Sequence, residues 1–226
     1  METCASRRQL LQMTAAGVAA MAARPVSMLA QSVAPEFPKP GTPEEAMRLL
    51  HEGNERYLKQ RLNACGINLA NLRAHTESVQ EPFAAILGCA DSRVPTEIVF
   101  DQSIGQLFVV RVAGNIAAPG TIGSLEYAAV VLGIKTILVL GHSSCGAVKA
   151  AKAGSAVPGQ ISTLFQYIYP ATVGAADLPA AIAKNAGIQA ATLRGASPVI
   201  SEMVKGGKLS VGAAVYDLGT GRVTMV

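Results

Sequence analysis

"PFAAILGCA" at residues 82–90 and "TILVLGH" at 136–142 decide the fold. Each is an unbroken apolar run of strand length, not an alternation of apolar and polar residues. Runs of this kind belong to strands covered on both faces, as in a parallel sheet flanked by helices. A third run, "QLFVVRVAG" at 106–114, carries Arg111 near its end. Between it and the 136–142 run, "TIGSLEYAAVVLG" reads as a helix. The order strand, connection, strand, helix, strand predicts an α/β fold with a largely parallel central sheet and helices on its faces.

Upstream, "PEFPKPGTP" at 35–43 is a proline-rich linker that leads into a strong helix signal. Thr42 suits the N-cap, Pro43 the first helical position, and Glu45 the third residue of a capping box. Ala46, Leu49, Leu50 and Tyr57 follow at helical spacing, giving an N-terminal helical arm. A loop and a second short helix precede the first strand. Downstream of Gly146 the chain reads as alanine-rich helix to about Lys205. "KLSVGAAVYDLGTGRVTMV" at 208–226 then reads as two strands around a Gly-Thr-Gly turn. With no internal repeat, residues 35–226 form a single domain in this reading.

Composition narrows the function. The chain has 226 residues, half of them hydrophobic, no tryptophan and a formal charge of +4. Arg7, Arg8 and Arg24 account for much of that charge; residues 35–226 carry 16 basic and 14 acidic side chains. No basic run interleaves with aromatics, so the sequence carries no footprint for nucleic acid.

Residues 1–34 read as an export signal of the twin-arginine type. In "SRRQLLQMTAAGVAAMAARPVSMLAQSVA" paired arginines precede an apolar segment, Met13 to Ala23, and then small residues around Ala30 and Ala34 that suit cleavage. That segment is too short for a membrane span, which needs about 20 residues. The expectation is a periplasmic or equivalent extracytoplasmic protein with no membrane span after signal removal.

Cysteine and histidine usage points to a metal. Cys89 ends one strand run, and His142 and Cys145 end another, where open parallel sheets bind their ligands. Two thiolates and one imidazole suit zinc, and three protein ligands leave the fourth position for water. Two alternatives stay open on these residues alone. In an oxidising compartment Cys89 and Cys145 can pair as a disulfide, and His51, His75 or Cys65 can complete a closed structural site. Asp91 and Arg93, just after Cys89, form either an ordinary surface ion pair or a functional dyad.

Taken together, "CADSRVP", "FVVRVAGN", "GSLEYA" and "GHSSCG" resemble the beta-class carbonic anhydrases. The family pattern C-x-D-x-R followed by H-x-x-C is present at Cys89, Asp91, Arg93, His142 and Cys145. The likeness runs from Thr42, through "EGNERY", to "AVYDLGTGRV". It implies one zinc per chain, held by Cys89, His142 and Cys145, with water or hydroxide as fourth ligand. It implies that zinc-bound hydroxide attacks carbon dioxide to give bicarbonate and a proton, Asp91 orienting the hydroxide and Arg93 holding Asp91. It also implies a homodimer or larger homo-oligomer in which pocket residues cross the interface.

Within that family one pocket type has a tryptophan where this chain has Ile86. The other lines its substrate pocket with glutamine, phenylalanine and tyrosine, matched here by Gln80, Phe108 and Tyr127. Val112 departs from the pattern, since asparagine commonly follows the arginine at that point. Rival readings are a related hydrolase of carbon disulfide or carbonyl sulfide, a silent zinc scaffold, and a redox switch built on Cys89 and Cys145.

Overall fold

The computed structural model describes residues 37–63 and 69–226. Residues 1–34, read above as an export signal, and Cys65 lie outside the described residues. Helix α1, Pro43–Leu58, starts where the sequence asks it to. Thr42 Oγ1 accepts from Glu45 N at 3.2 Å, and Glu45 Oε2 accepts from Thr42 N at 3.3 Å and Gly41 N at 2.7 Å. The reciprocal cap satisfies amides that the first turn leaves without partners. Ala46 and Leu50 then face inward and are buried.

Beyond α2 (Leu69–Thr76) come β1 (Ala84–Gly88), the short α3 (Thr96–Val99), β2 (Leu107–Arg111) and α4 (Pro119–Val130). Strand β3, Thr136–His142, matches its sequence run residue for residue. The expected helical stretch after Gly146 is divided into α5 (Gly146–Ala153), α6 (Ser162–Thr172), α7 (Leu178–Ala196) and α8 (Pro198–Lys205). Strands β4 (Ser210–Tyr216) and β5 (Val223–Met225) form the expected closing hairpin.

The sheet runs β2-β1-β3-β4-β5, the first four parallel and β5 antiparallel to β4. Every residue of β1 and β3 is buried, as their continuous apolar runs predict. Side chains alternate between two cores. Ala85, Leu87, Ile137 and Val139 pack with Leu125 of α4, Ala186 and Leu193 of α7 and Ile200 of α8. Ala84, Ile86, Leu138 and Leu140 pack with Ala46 and Leu50 of α1 and with Phe100. Strand β2 is an edge strand, and its apolar residues are only partly covered.

Strand order sets the place of the site. From β1 the chain moves to β2 on one side; from β3 it moves to β4 on the other. The connections diverge at the carboxyl ends of β1 and β3, which opens a crevice there. In register, Gly88 of β1 lies beside both Arg111 of β2 and Leu140 of β3.

Candidate metal centre

Three donor side chains meet in that crevice. Cys89 follows β1, His142 ends β3, and Cys145 stands just before α5. All three are buried, and their ligand atoms lie within 4.8 Å of one another. The turn between His142 and Cys145 is tight enough to hold Ser144 at φ +58°, a left-handed conformation that a residue with a Cβ adopts only under constraint. Cys89 and Cys145 are unbridged thiols. Among the described residues no other such group of donors occurs; His51 is exposed on α1, and His75 on α2 packs against Phe37.

The electrostatics fit a cation. Hydrogen bonding from Cys145, helped by the Gly114 amide, outweighs burial and draws the Cys89 thiol well below the usual thiol range. The same contact with Cys89, together with burial, pushes Cys145 far above the thiol range, although the amides of Val148 and Ala147 oppose this. One negative charge is therefore easy to place on the pair and a second is not. A bound cation is what lets both sulfurs be thiolates. His142 Nδ1 lies 2.9 Å from the Ser143 carbonyl, which fixes the proton on that nitrogen. Nε2 is left buried with no hydrogen-bond partner, a lone pair available for a metal. Burial pulls His142 down, but Cys89, the Ser143 carbonyl and Asp91 raise it overall.

Asp91 and Arg93 stand at the mouth of this cluster. Asp91 Oδ1 accepts from Arg93 Nε at 2.9 Å and from its backbone amide at 3.0 Å, and Oδ2 accepts from Nη2 at 2.8 Å. That fork holds the Asp91 carboxyl well below the usual carboxylate range, against a smaller opposing effect of burial. Asp91 Oδ2 is also 3.7 Å from His142 Nε2, so the carboxylate borders the metal ligands.

These features carry the comparison. The carbonic anhydrase family profile matches residues 84–223, which contain every donor just described. The chain belongs to the beta-carbonic anhydrase family. Carbonic anhydrase 2 of Mycobacterium tuberculosis is 37% identical over 192 residues, covering 81% of this chain and 92% of that protein. A Coccomyxa beta-carbonic anhydrase, solved in complex with acetazolamide, superposes with a TM-score of 0.63 at 27% identity, over 77% of this chain and 83% of that one. One of the tetrameric beta-carbonic anhydrases of Sordaria macrospora gives 0.61 at 25% identity, over 70% and 91%. Beta-carbonic anhydrases are zinc lyases, and the Cys89–His142–Cys145 set of this enzyme fits zinc.

The carbonic anhydrase does not bring Gln80, Phe108 and Tyr127 to its own cysteines. Phe108 lies beside Ala85 in the ladder, four residues before Cys89, or about 13 Å along the sheet. Tyr127 meets it with ring centroids 6.3 Å apart and is half exposed. Gln80 precedes β1 and lines a surface cleft with Lys39, Val131 and Lys135. All three therefore sit towards the amino end of β1, beside the half-covered edge strand.

Two further parts of the site leave little trace in the sequence. Arg111 reaches across from β2 and donates from Nε to the Cys89 carbonyl at 3.0 Å and from Nη2 to the Asp91 carbonyl. A charge closing an apolar strand run was the available signal. Gly114 N donates to Cys89 Sγ at 3.4 Å, and a backbone amide leaves no signal at all.

Proposed function

We propose that this chain catalyses the reversible hydration of carbon dioxide to bicarbonate and a proton, with one zinc per chain held by Cys89, His142 and Cys145. The observation that carries the reading is the buried, partnerless His142 Nε2 beside two thiols, bordered by a carboxylate that Arg93 holds by both oxygens. Zinc, when bound there, lowers the pKa of water towards neutrality and so supplies a nucleophile. Asp91, kept ionised by Arg93, would accept a hydrogen bond from that nucleophile and orient it towards carbon dioxide. Its engagement with Arg93 supports its acting as a hydrogen-bond acceptor and not as a further metal ligand.

The proposal includes a homo-oligomer. Gln80, Phe108 and Tyr127 stand far from their own cysteines and next to an open sheet edge, which supports their serving a partner's site. The tetrameric Sordaria macrospora relative supports assembly of the same kind. In a partner's pocket, Phe108 and Tyr127 give apolar walls and Gln80 an amide donor for a substrate oxygen. It also includes export by residues 1–34 ahead of a single domain at 35–226, in an extracytoplasmic compartment. The paired arginines and short apolar segment of the sequence support this. Among the described residues, no helix is long and apolar enough to cross a membrane.

Stopped-flow carbon dioxide hydration at alkaline pH, with zinc measured on the same sample, tests the central reading. Fast turnover with about one zinc per chain supports it; zinc without turnover overturns it.

A further inference from the structure

Two buried amide side chains on α7 have no place in the chemistry so far. Asn185 and Gln189 are each about 1% exposed, one helical turn apart, and reach into the loop that follows β2. Asn185 Nδ2 donates to the Gly114 carbonyl at 2.9 Å. Gln189 Oε1 accepts from Ala117 N at 2.9 Å. The two are joined by Gln189 Nε2 donating to Asn185 Oδ1 at 3.1 Å, and Nε2 donates also to the Tyr167 carbonyl at 2.9 Å. Helix α7 thus grips the 114–117 loop by one carbonyl and one amide. Every hydrogen bond used is buried or part-buried.

The gripped loop is the one whose Gly114 amide faces the Cys89 sulfur at 3.4 Å. Gly114 is packed where no side chain fits. Its φ is +77°, and a Cβ there would stand 2.6 Å from Ile168 Cδ1. An N–H aimed at a thiolate draws electron density from the sulfur. A metal ligated by two thiolates is electron-rich, so a donor on one of them leaves the metal more electrophilic towards water.

We infer that Asn185 and Gln189 are positioning residues of the carbonic anhydrase: they hold the Gly114 amide on the Cys89 sulfur and so tune the thiolate that ligates the metal. The inference rests on the zinc reading above. Neither residue touches substrate or metal; both act through the loop.

The test uses the full-length enzyme and its cobalt(II)-substituted form, whose thiolate-to-cobalt band reports the sulfur's electron density. Asn185→Leu keeps the branched outline of the side chain, adds some bulk, and removes the bond to the Gly114 carbonyl. Asn54→Leu is the control, because Asn54 is likewise buried and bonded, to the Val99 and Gly221 carbonyls and the Val223 amide, on the α1 side of the sheet. The expected result is one cobalt per chain in both, with the band moved to longer wavelength in Asn185→Leu only. Zinc-loaded Asn185→Leu then hydrates carbon dioxide about tenfold more slowly near neutral pH, the deficit shrinking as pH rises. If Asn185→Leu does not fold, Asn185→Ala removes the same bond to the Gly114 carbonyl without adding bulk and is read the same way. A band that coincides with the wild type in the folded variant overturns the inference while leaving the zinc reading intact. A wild type that takes up cobalt without any thiolate band overturns both.

Discussion

Asp91 Oδ2 lies 3.7 Å from His142 Nε2 while both oxygens of the carboxylate are engaged by Arg93. The acid is close enough to touch whatever binds next to the imidazole, yet its charge is already held in place. That arrangement puts the carboxylate beside the three donors without making it one of them.

Replacing Asp91 with alanine should lower kcat by about 100-fold or more while zinc stays near one per chain. Stopped-flow rates and metal analysis on one preparation decide this. Loss of zinc along with rate would instead make Asp91 part of the metal's hold.

Acid should release zinc before it unfolds the protein. Both sulfurs and His142 Nε2 must be deprotonated to ligate, so affinity falls as pH falls. Dialysis against a fixed chelator at stepwise lower pH should show metal and activity disappearing together, with far-ultraviolet circular dichroism retained at first. His142→Ala should show the same loss already at neutral pH. Retained stoichiometric zinc in that variant would refute the ligand set.

Arg111→Ala should weaken both the fold and the site, because one side chain ties the Cys89 and Asp91 carbonyls together. Expected losses are about 1–2 kcal/mol in denaturant unfolding and about tenfold in rate. Arg111→Lys should recover only part, since a single ammonium lacks the planar fork that reaches two carbonyls. A fully active Arg111→Ala would deny the clamp any role.

Gly53→Ala separates helix propensity from packing. In an isolated helix the change stabilises by about 1 kcal/mol. Here a Cβ on Gly53 would fall 1.8 Å from the Phe100 carbonyl oxygen and 2.7 Å from its carbon. That backbone must move, so the expected sign is destabilising, by about 2 kcal/mol or more. An unchanged or higher melting temperature would contradict the close approach of α1 to the residue after α3.

Alkaline stability should depend on Tyr216. Burial first, then its hydrogen bond and charge coupling with Tyr57, push this phenol up to about 12 from 10.0. Folding therefore favours the neutral phenol, a contribution complete below pH 10 and lost as pH rises towards 12. Unfolding free energy should fall more steeply over that range in the wild type than in Tyr216→Phe, by on the order of 1–2 kcal/mol. Parallel curves would show that the shift is absent.

Much of this was legible along the chain. The runs at 82–90 and 136–142 announced strands buried on both faces, and Thr42, Pro43 and Glu45 announced the start of α1. Those are local signals, carried by neighbouring residues and by backbone hydrogen bonding that each segment must satisfy. The metal-ligating chemistry was equally visible, because cysteine, histidine and aspartate differ sharply in kind from the apolar runs that deliver them. The run at 106–114 looked like the other two but became an edge strand, half-covered along most of its length. Apolar composition says that a strand wants burial and not what will cover it.

The sequence by itself determined most of the elements and offered the candidate donors, whose full set and chemistry came from the motifs' resemblance to a family. Tertiary structure decided where the donors meet. Strand order β2-β1-β3-β4-β5 parts the connections at the ends of β1 and β3 and brings Cys89 to His142 across 53 residues of sequence. It also decided which distant groups hold them: Arg111 on the next strand, and Asn185, 71 residues beyond the Gly114 carbonyl it grips. Such contacts rest on polar groups buried far from their sequence neighbours. Only the assembled sheet and helices can bring their partners to them.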